Sequence, residues 1–502
     1  MDKKARYREL FSNAAWNIDT LKAADEVTSR IGSNDFKLDI YKNQIEVVTS
    51  EQMLDAYSLI GLPTSYPHWK FGKSFSMNQE KYSKGYMGLS YEMVINSDPC
   101  ISYNMETNTT CLMVLVIAHA CQGHNAFFKG NYMFKDWTSA DSIVDYMVFA
   151  RDFVMRCEEE FGQDEVEHTL DACHALMSHG VDQYRRPDKR SFAQEKDRLK
   201  KLVEIKRENF NDLWRTIPHS SKEKEKTPSK ANMLSEPENN ILYFIEKNGQ
   251  KLPAWKRELV RIVRKVAQYF YPQSQTKVMN EGFATFMHYH IVNQMQTEGY
   301  LDEGFMLEFY HHHSNVLYQP PYNSDHFSGI NPYTLGFNIF MDIKRICTEP
   351  TQEDKEWFPY LIGKNWLDEV HFAMENFRDD SFILQYLSPK VMRDMKLFSI
   401  EDKFENDYYE VNAIHDGRGY KGVREALSRQ YNRGTFVPNI QIESVEPEGD
   451  KIMKLVHTTD NEQVLEQKSA AEVLRCVKYL WGHQVQLDTV TLDGEKVRSY
   501  KY

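Results

Sequence analysis

Four stretches of the chain concentrate side chains that can hold a metal ion or move a proton. In the first, Ala118-His119-Ala120-Cys121-Gln122-Gly123-His124-Asn125, two histidines close an apolar run, Leu112–Ile117. On a straight α-helix their i, i+5 spacing would set them about 140° apart. Gly123 can end or bulge the helix and let His124 swing back towards His119. In the second, Glu281 and His288 are two turns apart on a face that also carries Ala284 and Ile291. A carboxylate on an apolar face is costly unless a cation, a donor or a metal meets it. The third is Glu308 with His311, His312 and His313; three adjacent helical histidines point three ways, so at most two can serve one site. The fourth, Glu167, Asp171 and His174, shares one helix face as carboxylate–histidine sets do in di-metal bundles. Each has a plainer reading: capping histidines, a Glu281–His288 or Glu281–Arg pair, surface histidines, and a solvated face.

Taken together, His119, His124 and Glu281 match a zinc site of two imidazoles and one carboxylate with a position left for water. His288 is expected as a fourth ligand or as a residue orienting a ligand, with Asn280 or Asn125 in the same supporting role. One divalent ion, zinc by this ligand set, is the expected cofactor. Zinc hydrolases of this type carry His-Glu-x-x-His, whose glutamate is the general base. Here that position is Ala120 and the spacing is one residue longer. The candidate bases are then His288, Glu308 and the 311–313 run.

The elements that must position these residues are mostly helical. Ile143, Met147, Ala150 and Val154 recur at core-facing helical spacing, and so do Val166, Leu170, Cys173 and Met177. Thr49 to Gln52 predicts a capping box, and Ser469 with Glu472 predicts another before a helix Val473–Trp481. The aromatic loop Gly61–Gly72 is too apolar to stand in water and is expected to pack on the body. A charged helix is expected over 190–215 and a flexible linker over 218–238. After 405, alternation at Ile440/Ile442 and Val485/Leu487, with a turn at Asp493-Gly494, predicts strands. The fold class is therefore α+β: a large, mainly helical body over 1–400 and a small C-terminal α+β domain over 405–502.

Composition narrows the function classes. A net charge of −12 disfavours nucleic acid, and the basic stretch from Arg185 to Lys230 is interleaved with acids. The apolar run Cys111–Ala118 is short for a bilayer span, so no membrane insertion is expected. Seven cysteines without a CxxC pair predict reduced thiols and a cytoplasmic protein.

Long motifs run through the chain: GLPTSYPHWKFGKSF (61–75), YEMVINSDPCISY (91–103), AHACQGHNAFFKGNYMF (118–134), VMNEGFATFMHYHI (278–291) and HHHSNVLYQPPYNS (311–324). Through them the chain resembles the stage V sporulation protein R (SpoVR) family over nearly its whole length. The resemblance implies a role in forming the spore cortex, a modified peptidoglycan, or a stress or starvation role in bacteria that form no spores. It also implies a PrkA-type serine kinase as partner, and it supplies no catalytic residue. Two activities stay open at this point: a metal-dependent hydrolase, and a non-catalytic regulatory or interaction protein whose His/Glu cluster is structural. A di-metal bundle using Glu167, Asp171 and His174 is a third.

Overall fold

The computed structural model describes residues 2–59, 61–84, 86, 91–184, 238–322, 324–401, 410–413, 416–432, 437–445, 450–459 and 464–501. The expected helix over 190–215 and all of the expected linker but residue 238 lie outside the described residues.

Helices dominate, and their faces follow the apolar spacing. In the helix Ile143–Phe161, Ile143, Met147, Ala150 and Val154 are all buried. Thr49 and Gln52 form the expected capping box at the start of the helix Ser50–Ser58. Leu62, Tyr66 and Phe71 of the aromatic loop are buried, so it packs as expected. The apolar segment Thr110–Gly130 is long enough to cross a bilayer, although its most apolar run is short, and it is buried inside the protein up to Phe128. All seven cysteines are free thiols.

The chain divides into two compact units, 1–163 with 269–436 and 164–268 with 437–502. This differs from a continuous body ending near 400. The helix Gly419–Tyr431 joins the first unit because Tyr420, Val423 and Leu427 complete its core. Arg424 and Ser428 also donate to the carbonyls of Leu387 and Asp380. The segment 164–268 joins the C-terminal strands: Glu238 and Ile442 exchange backbone hydrogen bonds, and Phe244 packs on Trp481.

In the first unit, a three-stranded sheet places Cys100–Met105 between Asn43–Val48, parallel, and Glu92–Ile95, antiparallel. In the second, four strands lie in sequence order, Asn439–Val445, Met453–Thr459, Val485–Thr491 and Lys496–Lys501. The helix Gln467–Trp481 links the parallel middle pair. Its cap corrects the expectation at Ser469: Glu466 is the N-cap and accepts from the Lys468 and Ser469 amides. Gly494 takes a positive φ in the predicted hairpin turn.

Candidate metal centre

Residues Ala118–His124 form a π-helix between the helices Thr110–Ile117 and Asn125–Gly130. Its wider turn puts residues five apart nearly on one face, a device that recurs at functional sites. The His119 and His124 rings therefore meet edge to face, with centroids 4.6 Å apart. Gly123 does not redirect His124 by an unusual φ. It allows close approach: a Cβ there would stand 2.5 Å from the Ala284 Cα on the facing helix.

That facing helix, Lys277–Thr297, carries Glu281. Asp379 caps its start, accepting from the Val278 and Met279 amides at 2.9 Å each. Burial pushes the Asp379 carboxyl up to about 7, against the pull of those amides. One residue after Glu281, Gly282 meets Gly336 on the helix Pro332–Thr348, where an added Cβ would lie 2.4 Å from the Gly336 backbone. Glu281 is thus held between two close helix crossings.

The structure brings His119, His124 and Glu281 together, with ligand atoms all within 4.8 Å of one another. The Glu281 Oε2 lies 3.4 Å from His124 Nε2 and 3.8 Å from His119 Nε2. Both Glu281 Oε2 and His119 Nε2 are buried without a hydrogen-bond partner. On its other side, His124 Nδ1 meets Asn280 Oδ1 at 2.9 Å, which leaves the Nε2 lone pair facing the group. Asn125, the other candidate support, instead ties down Tyr41 and Asn43.

His288 stands behind His119. Its Nδ1 lies 2.9 Å from His119 Nδ1, and its Nε2 lies 2.9 Å from His313 Nδ1. With both nitrogens engaged it orients His119 and is not free to be a fourth ligand. Nor do the other candidate bases face the group. Glu308 accepts from Thr109 and faces His312, and His311 pairs with Asn315. Of the 311–313 run only His313 is buried, and it sits behind His288. Glu167, Asp171 and His174 lie on the helix Gln163–Ala175 and are not part of the group.

Two residues that the sequence did not single out border the group. Tyr333 stacks on His119 with ring centroids 6.2 Å apart. Glu92, at the start of the strand Glu92–Ile95, faces His119 Nε2 at 3.9 Å.

Electrostatics follow this geometry. Burial alone would raise the Glu281 carboxyl, but the two imidazoles facing it hold it well below the usual carboxylate range. Burial opposes charge on His124, yet Glu281 and Asn280 push it up. Burial and neighbouring histidines hold His288 well below its ordinary value, and burial brings His313 down to about 4. The Glu281 charge, with burial, pushes the Tyr333 hydroxyl well up. Burial raises Glu92 against the pull of the two histidines.

A family model described as SpoVR like protein matches residues 15–436, and one described as SpoVR-like C-terminal domain matches 438–492. A relative from Escherichia coli (strain K12), Uncharacterized protein YcgB, is 53% identical over 480 residues, covering 95% of this chain and 93% of its own. No solved structure matches the chain.

Proposed function

The chain belongs to the SpoVR family, and we propose that in this member His119, His124 and Glu281 hold one divalent metal ion that serves a hydrolytic reaction. One observation carries the reading: two buried polar atoms, His119 Nε2 and Glu281 Oε2, face each other without partners. Leaving both unmet is expensive, and an ion between them satisfies both. Donors about 2.0–2.2 Å from a tetrahedral ion stand roughly 3.3–3.6 Å apart. The separations of 3.4 and 3.8 Å need little adjustment to reach that spacing.

When bound, the ion would act as a Lewis acid and make a bound water acidic enough to attack near neutral pH. The chain's own residues supply the rest. Asn280 and His288 orient the two imidazoles, Asp379 anchors the helix that carries Glu281, and Tyr333 covers His119. Family membership supports the process: spore cortex (peptidoglycan) formation, or stress and starvation response in bacteria that form no spores. In this reading the protein works in the cytoplasm on precursors or by regulation, with a PrkA-type serine kinase as partner.

The test is metal content per chain in untagged wild type, His119→Ala and Glu281→Gln, with thermal melts with and without chelator. Near one equivalent is expected in the wild type, and little in either variant. Metal at a thousandfold excess over its Kd should stabilise the wild type by about 4 kcal/mol. Less than about a tenth of an equivalent, with melts indifferent to added zinc, manganese or iron, would leave a structural cluster in a non-catalytic regulator.

A further inference from the structure

We propose that Glu92 is the fourth protein ligand of this ion, and that the centre therefore takes a metal of more than four coordination positions, such as Mn²⁺ or Fe²⁺, in preference to tetrahedral zinc. The inference rests on the reading that His119, His124 and Glu281 hold an ion.

The argument starts from His119. Its buried Nε2, without a hydrogen-bond partner, faces two carboxylates at nearly equal distance, Glu281 at 3.8 Å and Glu92 at 3.9 Å. The two glutamates arrive from unrelated elements, a helix and a strand, and the strand lies against the π-helix. Each side chain is only about a fifth exposed. Both glutamates pair with histidines, and no lysine or arginine among the described residues pairs with either. Imidazoles must be neutral to ligate, and two ionised carboxylates beside them then carry a charge of −2, which a divalent cation cancels.

Coordination number follows. Donors about 2.1 Å from a six-coordinate ion stand roughly 3.0 Å apart when adjacent and about 4.2 Å apart when opposite. The separations of 3.4, 3.8 and 3.9 Å match neither limit and lie near the tetrahedral spacing, so the number of protein donors, not their spacing, decides the coordination number. Four protein ligands would close a tetrahedral zinc site and leave no place for water. Oxygen-rich sets suit harder ions, and a six-coordinate ion keeps two positions for water and substrate.

The experiment loads the full chain with Mn²⁺ and, separately, with Co²⁺, in wild type, Glu92→Gln and Glu92→Ala. Proton relaxation counts the waters on Mn²⁺, and the visible absorption of Co²⁺ reports its ligand set. About two waters are expected on wild-type Mn²⁺ and about three in Glu92→Ala. The Co²⁺ bands should change in both variants, and Mn²⁺ affinity should fall by at least about a hundredfold in Glu92→Ala. Three waters in the wild type, or variant spectra identical to the wild type, would remove Glu92 from the ion while leaving the three-residue centre standing. The wild-type water count decides the matter even if neither variant folds. A wild type that binds neither ion would overturn the metal reading itself.

Discussion

Gly282→Ala should damage the metal centre without touching a ligand. An alanine Cβ at 282 would lie 2.4 Å from both Cα and C of Gly336 and 2.9 Å from the Phe337 amide nitrogen. Ordinary contact begins near 3.4 Å, so the helices Lys277–Thr297 and Pro332–Thr348 must part by about 1 Å. All of the opposing atoms are backbone, so no side chain can turn aside. Retreat is blocked as well. Ala284 lies about 200° round the same helix, where a Cβ on Gly123 would already be 2.5 Å from the Ala284 Cα. Overpacking of this kind costs typically 1–3 kcal/mol, and a wedge with no free side belongs at the upper end. For a unit of this size about 3 kcal/mol lowers the melting temperature by roughly 4 °C. Metal sites tolerate about 0.2 Å in ligand distances, so a 1 Å displacement of Glu281 should also cut metal content. The control is Gly72→Ala in the helix Trp69–Ser83, where an added Cβ meets nothing within 4 Å. That change should gain about 0.5–1 kcal/mol. Gly282→Ala melting within a degree of wild type, at full metal content, would refute the reasoning.

A pH dependence follows from His290. Its Nδ1 donates to the Phe286 carbonyl and its Nε2 accepts from Lys344, each at 2.8 Å, so the ring is neutral. Burial and the Lys344 ammonium push it down to about 4, against about 6.5 in the unfolded chain. The unfolded chain therefore binds more protons between those values. This contribution is complete above about pH 6.5 and is lost as pH falls towards 4, by up to about 3 kcal/mol. Urea titrations across that range should show the fall, more shallowly in Lys344→Met; identical slopes would sink the assignment. In the second unit, Glu246 is buried and accepts from Arg261, Arg264 and Lys247. Glu246→Ala strands those cations and should cost about 3 kcal/mol in urea unfolding, whereas Glu353→Ala, which breaks the exposed pair with Arg393, should cost under about 1 kcal/mol. Equal losses would show that burial is not what matters.

Much of the helical body was legible because apolar spacing states which face is buried, as along Ile143–Val154. His119, His124 and Glu281 were legible for a related reason: each is a polar residue in an apolar setting, which requires compensation. What periodicity could not supply was the π-helix. Its i, i+5 pair reads as misaligned on an α-helix, and only the bulged turn puts both rings on one face. Glu92 was missed because a single charged residue at a strand start carries no pattern; its place emerges from the sheet that leans on the π-helix. The unit boundary was misplaced for a comparable reason. The helix Gly419–Tyr431 follows a polar stretch, and only tertiary packing returns it to the first core.

The row of histidines behind the centre admits two proton arrangements, one the reverse of the other, and an ion on His119 Nε2 selects between them. If His119 keeps Nε2 bare to face Glu281 and Glu92, its proton is on Nδ1 and is donated to His288 Nδ1. His288 must then carry its own proton on Nε2, which it donates to His313 Nδ1. Each ring gives one hydrogen bond towards the next and none needs a charge. This agrees with burial holding His288 and His313 below their ordinary values. It also explains why one histidine of three adjacent ones turns inward: His313 terminates the series, while His311 and His312 find partners in Asn315 and Glu308. A buried relay of neutral rings, each orienting the next, is a costly way to fix one imidazole unless that imidazole has an ion to hold.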